Sequence, residues 1–551
     1  MKTWRINLIL AFILLFGAVI IYRLFYIQVI NHNYYLALAK GQQKLLEEIK
    51  GQRGEVFFQN KTQALAINRQ EALVFICPKE IKQQEQTADK LARTLGLDKD
   101  FILEKIKKQT LYELIKKRLT QKEVENLKKL NLTGVYLEQV PGRYYPQQSL
   151  AAHIIGFLDE NNQGQYGIEG YYNDLLKGEQ RLQEKEKNPW GFSLFQEGLS
   201  SVKKGKDIIL TVDYNIQFMA EKLLKQAKEN LDIESGTIIV IEPNTGKILA
   251  LANLPSFNPN EYSKIEDFSI FQNSAIQKLF EPGSVMKPFT MAAGLNENKI
   301  TPKTTYIDKG KVTITDTTIY NYDKKIWGKR TMTEVLEKSI NTGAVFAESQ
   351  IGHNIFLDYL EKFGFFKPTG IDLQGEIYSQ NKELKRGYDI NFATASFGQG
   401  IEITPIQLVR AFCSIANGGK LIRPYIAENQ NQPEVITTPI SKKTASELTA
   451  MLVSVTENGF AKGARIPGYY IAGKTGTAQV SWTALGINKK GYSNKTIQSF
   501  IGFAPAFSPR FLILVKLDNP KTRTAEYSAV PCFQKLAKYI IDYWQIPPDY
   551  E

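Results

Sequence analysis

Glu281-Pro282-Gly283-Ser284-Val285-Met286-Lys287 is the stretch of sequence that decides the fold. Pro282-Gly283 is typical of a turn, and the apolar run 285–295 predicts a helix that starts at the serine. Ser284 and Lys287 are three residues apart and therefore lie on one face of that helix. A serine hydroxyl becomes a strong nucleophile only when a nearby base takes its proton, and a lysine is such a base only when burial or another cation keeps it neutral. The stretch therefore predicts a serine–lysine pair at a helix N-terminus, where the helix dipole favours negative charge.

The second string, Ser339-Ile340-Asn341, follows residues 333–338, whose pattern predicts a short helix. Polar groups at alternate positions can point into one cleft. We expect the hydroxyl of Ser339 to relay a proton there and the amide of Asn341 to hold a substrate carbonyl. Taken alone, the string is equally typical of an ordinary loop or helix cap.

The third string, Lys474-Thr475-Gly476-Thr477, follows residues 469–473, whose composition predicts a strand. Glycines on both sides of Lys474-Thr475 leave room for a second backbone, so an extended peptide can pair with this strand as an added one. The lysine supplies positive charge, and the threonines supply hydroxyl groups, for a terminal carboxylate. The backbone N–H groups of Ser284 and Thr477 are the expected oxyanion hole.

The order of the three strings is far more specific than any one of them. S-x-x-K also occurs at Ser200 and Ser201, and S-x-N at Ser256, whereas Lys474-Thr475-Gly476 occurs once. S-x-x-K, S-x-N and K-T-G in this order form the set found in serine acyl-transferases that act on D-alanyl peptides and are trapped by penicillin.

On these residues the chain resembles a class B penicillin-binding protein, a membrane-anchored peptidoglycan transpeptidase, nearly from end to end. Further segments that carry the resemblance are Arg53-Gly54-Glu55, Gly142-Arg143-Tyr144-Tyr145-Pro146, His153-Ile154-Ile155-Gly156, Gly167-Ile168-Glu169-Gly170, Leu210-Thr211-Val212-Asp213, Gly398-Gln399-Gly400 and Thr404-Pro405.

The resemblance implies a mechanism that needs no metal or organic cofactor. Ser284, deprotonated by Lys287, would attack the penultimate D-alanine carbonyl of a wall stem peptide, and the terminal D-alanine would leave with a proton relayed through Ser339. An amine of a neighbouring stem peptide would then take the acyl group and form the cross-link. Asn341 would hold the substrate, and Lys474, Thr475 and Thr477 would take its carboxylate end, with Gly476 as a further substrate-binding residue. A neutral Lys474 could share the task of the base. β-Lactams are the expected inhibitors.

The composition is that of a globular chain with two or three folded units. Of 551 residues, 43% are hydrophobic and 23% charged, and the chain is too long for one compact core. The net charge of +13 suits a surface near anionic lipid or wall polymer. The sequence has no basic stripe interleaved with aromatic residues, so it does not indicate nucleic-acid binding. Three scattered cysteines and three histidines indicate neither a disulfide framework, a zinc site nor a Ser-His-Asp triad.

The N-terminus is the second informative feature. After Lys2 and Arg5, residues 8–22 form an apolar run that continues past Arg23 to Ile27. This is close to the length of about 20 residues that crosses a bilayer. No small-x-small cleavage site follows the run, which favours an uncleaved anchor over a signal peptide. The positive residues before the run place the N-terminus in the cytoplasm and the bulk of the chain outside.

We therefore predict an α+β fold in three parts. Residues 1–30 form a cytoplasmic tip and transmembrane anchor, 31–205 an elongated, non-catalytic pedestal of the penicillin-binding protein dimerisation type, and 206–551 the transpeptidase domain. The second boundary lies where a polar, charged stretch gives way to the strand-like run 208–212. The last part opens with a predicted hairpin over 237–252, and strands that bracket helices predict an antiparallel sheet covered by helices.

Other classes of function share parts of this pattern. A β-lactamase must hydrolyse its acyl-enzyme quickly, and the anchor and long region before the first motif argue against it. A D,D-carboxypeptidase uses water as the acceptor, which the sequence leaves open. The complete motif set disfavours a non-catalytic penicillin-binding scaffold, and the lack of a second cytoplasmic signalling part disfavours a sensor.

Two cellular duties are usual for class B enzymes, namely cell division and side-wall elongation. Three strings resemble the division-type, septal branch: Glu281-Pro282-Gly283-Ser284, Gly142-Arg143-Tyr144-Tyr145-Pro146 and Phe500-Ile501-Gly502-Phe503-Ala504-Pro505. The resemblance implies work at the cell membrane beside a polytopic membrane glycosyltransferase and divisome proteins. Side-wall elongation is the alternative, since both branches perform the same acyl transfer.

Overall fold

The computed structural model describes residues 4–33, 44–186 and 202–551. The chain divides into two compact units, one made of residues 1–53 and 177–206 and the other of residues 54–176 and 207–551.

The first unit begins with helix α1 (Trp4–Phe25), which continues as a π-helical turn over Tyr26–Ile30. Within it, residues Asn7–Ile30 have a mean hydropathy of 2.6, and this helix is long and apolar enough to cross a membrane by length and composition. The predicted N-terminal apolar helix is therefore confirmed. The same unit contains strand β1 (Lys44–Lys50), which pairs antiparallel with β8 (Gln180–Glu186).

The second unit opens with a mixed sheet, in which the strand order is β4-β3-β2-β9 and β5 also pairs with β3. Its strands are β2 (Val56–Phe57), β3 (Ala64–Ile76), β4 (Glu113–Lys116), β5 (Val135–Tyr144) and β9 (Ile208–Ile209). Three helices, α2 (Gln84–Leu95), α3 (Lys99–Ile106) and α4 (Gln121–Leu130), contribute buried side chains such as Leu91, Ile102 and Leu127 to one core with Val74 and Ile76 of β3.

Short elements connect this sheet to the rest of the unit. They are α5 (Ala152–Ile155), β6 (Phe157–Leu158), β7 (Gly164–Gln165), α6 (Gly167–Tyr171) and α7 (Asn173–Leu176). The predicted strand over 208–212 is shorter than expected. Only Ile208 and Ile209 pair with β2, and Leu210 makes an isolated bridge to Ala427. Thr211 and Val212 are buried without strand pairing, and single hydrogen bonds to Ile426 and Gln59 hold their backbone, which an apolar run cannot distinguish from a strand.

A five-stranded sheet with the order β11-β10-β20-β19-β18 forms the centre of the larger part of the unit, and all its pairings are antiparallel. The strands are β10 (Ser235–Ile241), β11 (Ile248–Leu254), β18 (Ala472–Ser481), β19 (Tyr492–Ala504) and β20 (Phe511–Asp518). The predicted hairpin corresponds to β10 and β11, and the predicted antiparallel sheet with helices is confirmed. Strand β18 lies at the edge, so one row of its backbone groups has no partner strand.

Helices in two groups pack on this sheet. Helices α8 (Tyr214–Leu231) and α17 (Ala529–Trp544) contact each other and the sheet, whereas α10 (Lys287–Asn296), α15 (Pro405–Ala416) and α16 (Lys442–Asn458) form the second group. Strands β10 and β20 are buried except at one end residue each, because helices cover both faces. The shorter helices are α9 (Ser274–Gln277), α11 (Met332–Glu337), α12 (Asn341–Ile351), α13 (His353–Lys362) and α14 (Asp389–Ala395).

Between α10 and α11 the chain forms two small two-stranded sheets. Strand β12 (Thr305–Asp308) pairs with β15 (Gly328–Thr331), and β13 (Lys311–Ile314) pairs with β14 (Thr317–Tyr320). A third such pair, β16 (Leu421–Ile422) and β17 (Val435–Thr437), follows α15. The β13–β14 hairpin ends next to the first residue of α12, because the Tyr320 carbonyl accepts a hydrogen bond from the Asn341 side chain.

Candidate active site

Ser284 lies in a tight turn that is held between two other segments. Residues Gly283–Met286 form a 3₁₀ turn, and α10 follows directly from Lys287. Gly283 has φ +60°, a conformation that favours glycine, and its N–H donates to the Gly398 carbonyl at 3.0 Å. The predicted helix therefore forms, but its first turn is 3₁₀, and Pro288 at the start of α10 has no N–H to donate to an earlier carbonyl.

Gly476 allows this turn to approach β18. A Cβ atom at this position would lie 3.0 Å from Val285 Cγ1 and 3.1 Å from the Pro282 carbonyl oxygen. The backbone that comes close to the glycine is therefore the chain's own serine turn. The space beside the Gly476 Cα is therefore filled by internal packing, and pairing of a substrate strand along the free edge of β18 stays a prediction.

Lys287 is fully buried, and its side-chain nitrogen contacts four oxygen atoms. Nζ lies 3.0 Å from Ser284 Oγ, 2.6 Å from the Ser339 carbonyl oxygen, 3.2 Å from Ser339 Oγ and 2.9 Å from Asn341 Oδ1. The predicted side chains of the first two strings therefore meet at one atom.

The burial of Lys287 favours a neutral amine, and the four contacts accommodate that form. A charged ammonium has three N–H groups for four oxygen atoms, whereas a neutral amine has two N–H groups and one lone pair. The Ser339 carbonyl and Asn341 Oδ1 can only accept, so they take the two N–H groups. The lone pair then faces the hydroxyl groups. Burial, followed by the nearby charge of Lys474, holds the pKa of Lys287 well below its usual range, which agrees with this arrangement.

Lys474 is also fully buried, on β18. Its Nζ donates to Ser339 Oγ at 3.0 Å, to the Thr475 carbonyl at 3.0 Å and to Thr475 Oγ1 at 3.2 Å. Burial lowers the pKa of Lys474 to about 7, so this lysine changes its charge near neutral pH.

Ser339 connects the two lysines. Its backbone adopts φ +52°, an uncommon conformation for a residue other than glycine, between the end of α11 and the start of α12. The result is a continuous series of polar atoms, from Ser284 Oγ through Lys287 Nζ and Ser339 Oγ to Lys474 Nζ, with steps of 3.0, 3.2 and 3.0 Å. A proton can move along such a series because each step is a hydrogen bond.

Asn341 is occupied at both ends of its amide. Oδ1 accepts from Lys287, and Nδ2 donates to the Tyr320 carbonyl at 3.0 Å. In this structure Asn341 therefore positions Lys287, and its role in holding a substrate carbonyl stays a prediction. Sequence reasoning missed Tyr320, which contributes a backbone oxygen that no residue type signals.

The two threonines of the third string lie beside the series. Thr475 is nearly buried, with 8% of its surface exposed, whereas Thr477 is half-buried and its Oγ1 accepts a hydrogen bond from the Ala525 N–H at 3.3 Å. The predicted strand over 469–473 actually begins at Ala472 and runs through the motif to Ser481. The motif residues therefore lie within the edge strand, and the segment around Ala525 is a neighbour that the sequence did not indicate.

Other titratable groups lie apart from this series. His153 is buried, its Nε2–H donates to the Ile270 carbonyl at 2.9 Å, and burial lowers its pKa to about 4. His353 lies between Glu348 and Asp389. Among the residues that the structure describes, no group of three His, Cys, Asp or Glu side chains could hold a metal ion. Of the additional S-x-x-K copies, those of Ser200 and Ser201 begin outside the described residues.

Comparison with known proteins gives two family matches. Residues 236–538 match the family described as "Penicillin binding protein transpeptidase domain", and residues 48–210 match the family described as "Penicillin-binding Protein dimerisation domain". Together the two matches cover most of the chain and leave the N-terminal helix outside.

Relatives and solved structures agree over similar lengths. The chain is 32% identical to stage V sporulation protein D of Bacillus subtilis over 93% of this chain and 82% of that protein. It is 28% identical to the peptidoglycan D,D-transpeptidase FtsI of Buchnera aphidicola over 99% of this chain and 96% of that protein. The crystal structure of penicillin-binding protein 2X from Streptococcus thermophilus superposes with a TM-score of 0.70 at 24% identity, covering 90% of this chain and 80% of that one.

Proposed function

This chain belongs to the class B penicillin-binding proteins, and from that premise we propose that it cross-links peptidoglycan stem peptides through an acyl-enzyme on Ser284. The observation that carries the proposal is the contact of 3.0 Å between the Ser284 hydroxyl and the Nζ of buried Lys287. A hydroxyl beside a neutral amine is an activated nucleophile.

Acylation proceeds as one nucleophilic displacement. Ser284 Oγ attacks the carbonyl carbon of the penultimate D-alanine, and Lys287 Nζ takes the hydroxyl proton. The carbonyl oxygen becomes an oxyanion, which the N–H groups of Ser284 and Thr477 stabilise. When the C–N bond breaks, the leaving nitrogen takes a proton that Ser339 passes on from Lys287, and the terminal D-alanine departs as a free amino acid.

The second half-reaction reverses these transfers with a new amine. The acceptor nitrogen attacks the ester carbonyl of the acyl-enzyme and gives up a proton, and Ser284 Oγ regains one as the ester bond breaks. Lys287 and Lys474 are both connected to Ser339, and Lys474 has a pKa of about 7, so either is suited to take the acceptor's proton. The net result is one new amide bond in place of the D-alanyl-D-alanine bond.

Substrate placement follows from the edge position of β18. The free backbone groups of this strand can pair with an extended stem peptide as an added strand. Lys474, Thr475 and Thr477 lie along that strand and would take the carboxylate end. β-Lactams would enter the same place and acylate Ser284.

The remaining chain would place this chemistry at the cell surface. Residues 1–30 would act as the anchor, 31–205 as the pedestal and 206–551 as the transpeptidase domain. Lys2 and Arg5 precede the apolar helix, which supports a cytoplasmic N-terminus and an extracytoplasmic catalytic domain. The partners would include a polytopic membrane glycosyltransferase and divisome proteins.

The proposed cellular duty is septal cross-linking during division, and it is supported by the septal-type strings and by a relative that carries the name FtsI. Depletion of the protein should give filaments or chains of unseparated cells, with a fluorescent fusion at midcell. Rounded cells with signal along the side wall would move the protein to the elongation branch.

Labelling with a fluorescent penicillin tests the nucleophile. Ser284→Ala should remove all covalent label while the thermal melting curve keeps its cooperative shape. Ser201→Ala is the matched control, because Ser201 also begins an S-x-x-K string, and it should label like wild type. Label that persists in Ser284→Ala would refute the assignment.

Product analysis separates the transpeptidase from a carboxypeptidase. With a D-alanyl-D-alanine peptide and an amine acceptor, the amide product should form, and its share should rise with acceptor concentration. A product mixture of hydrolysed peptide alone, at every acceptor concentration, would assign water as the acceptor.

A further inference from the structure

The two walls of the active site are joined a second time outside the buried lysines. On one wall, Asn341 holds the Tyr320 carbonyl, and on the other, Thr477 Oγ1 holds the Ala525 N–H. The segments that begin at these contacts meet each other, because Arg523 Nη2 donates to Asp323 Oδ2 at 2.6 Å. We call residues 320–323 and 523–525 together the strap.

The strap lies on the solvent side of the site. The Asp323 and Arg523 side chains are 53% and 70% exposed, whereas Lys287 and Lys474 are fully buried. Asp323 is three residues from Tyr320, and Arg523 is two residues from Ala525. At no more than about 3.6 Å per residue, the ion pair therefore lies within roughly 11 Å of chain from both walls. The guanidinium also donates from Nε to the Tyr322 hydroxyl at 3.1 Å.

The closure of the strap is weak. An ion pair this exposed contributes little net free energy and is screened by salt. The Thr524 hydroxyl, between Arg523 and the contact to β18, is buried and has no hydrogen-bond partner among the described residues. A buried hydroxyl without a partner carries a desolvation cost, and opening relieves that cost if water reaches the group. The closed strap is therefore a marginal state.

We propose that Arg523 and Asp323 are positioning residues that hold the strap closed over the site, and that their ion pair parts when a peptide strand is admitted along β18. The proposal rests on the proposed function, since entry of a ligand along β18 is detected as acylation of Ser284. It concerns access, so the chemistry at Lys287 is the same in open and closed forms.

Acylation kinetics test the strap with the full-length protein and a fluorescent penicillin. Arg523→Ala and Asp323→Asn should each raise the second-order acylation rate about two- to fivefold, the range expected for loss of an exposed ion pair. In wild type, 1 M salt should raise the rate towards that of the variants, and the variants should respond less. Arg523→Asp with Asp323→Arg recreates the pair and should return the rate to the wild-type value.

Lys521→Ala is the matched control. Lys521 lies on the same loop, is 76% exposed and pairs with Asp232 at 2.7 Å, which does not join the two walls. Its rate should equal that of wild type, and all variants should melt at the wild-type temperature.

Three outcomes would overturn the proposal. If Arg523→Ala slows acylation while Asp323→Asn speeds it, the guanidinium binds the ligand itself. If both variants leave the rate unchanged, the ion pair does not control access. If Lys521→Ala has the same effect as Arg523→Ala, the loop responds to charge in general. Complete absence of labelling in wild type would instead contradict the proposed function, so the two failures are distinguishable.

Discussion

Replacement of Lys474 by methionine should shift the pH dependence of acylation upwards. Lys287 and Lys474 both contact Ser339 Oγ, at 3.2 and 3.0 Å, so their nitrogen atoms are within about 6 Å of each other. Two unit charges at this separation repel by about 3 kcal/mol at an effective dielectric constant of about 20, which equals about two pKa units.

The direction of the shift in the acylation midpoint follows from the positive charge of Lys474 beside Lys287. The pKa of Lys287 lies well below its usual range, and the pKa of Lys474 is about 7. Wherever Lys474 is protonated, its charge disfavours protonation of Lys287 and helps to lower the Lys287 pKa. Without that charge, Lys287 binds its proton at a higher pH, and the fraction of neutral base at a given acidic pH falls.

The assay is the second-order rate of labelling by a fluorescent penicillin between about pH 4 and 9. The midpoint of the acidic limb should move up by about two units in Lys474→Met, whatever happens to the plateau rate. Lys338→Met is the control, because Lys338 neighbours Ser339 in the chain but donates to the Asn458 carbonyl. A midpoint that stays in place, or moves down, in Lys474→Met would refute the reasoning that the two lysines are electrostatically coupled.

The remaining predictions use the same buried site and the anchor. Lys287→Arg should lower acylation by at least about 1,000-fold at every pH, because guanidinium does not deprotonate in proteins, and near-normal labelling would mean that another group is the base. Lys474→Met should raise the free energy of unfolding at pH 7 by about 1–3 kcal/mol, measured by denaturant titration, and a loss of stability would contradict this. Deletion of residues 1–30 should leave a soluble protein that labels like the full chain, and external protease should degrade the intact protein in spheroplasts or protoplasts. Full protection there would reverse the inferred orientation.

The sequence predicts the site where local spacing decides the geometry. Ser284 and Lys287 are three residues apart at the start of a helix, and their side chains meet as expected. Ser339 and Lys474 lie 52 and 187 residues after Lys287 in the chain, so no rule of local spacing predicts that they contact the same group. Their motif order identified them, and the fold supplies the contact through the start of α12 and the edge strand β18.

Strand limits were harder to predict than the motifs. The run 469–473 contains Tyr, Tyr and Ile, yet the strand begins only at Ala472. Before that point, the Tyr470 N–H donates to the Asp549 carboxylate near the C-terminus, so the chain is not paired with β19. After it, the glycines of the motif lower the local strand propensity, but pairing with β19 extends β18 to Ser481. Tertiary contacts decide both ends.

Backbone contributions leave no trace in residue type. The Tyr320 carbonyl and the Ala525 N–H reach the site from segments that no motif marks. Any residue at position 320, and any residue except proline at position 525, would offer the same group. The sequence therefore did not predict the strap, because the backbone groups that connect it to the site cannot be read from residue types.

The pH dependence of the free energy of unfolding distinguishes Lys474 from a lysine in a structural ion pair. The pKa of Lys474 falls from 10.5 to about 7 on folding, so between those values the unfolded chain binds more protons than the folded chain. Stability therefore rises with pH across this window and is lost as the pH falls towards 7, by about 1.4 kcal/mol per pH unit. A lysine held in an ion pair would show the opposite sign, because its pKa would rise on folding. Buried Lys474 instead lowers the free energy of unfolding at neutral pH. The folded protein retains the lysine there because its nitrogen donates a hydrogen bond to Ser339 in the site.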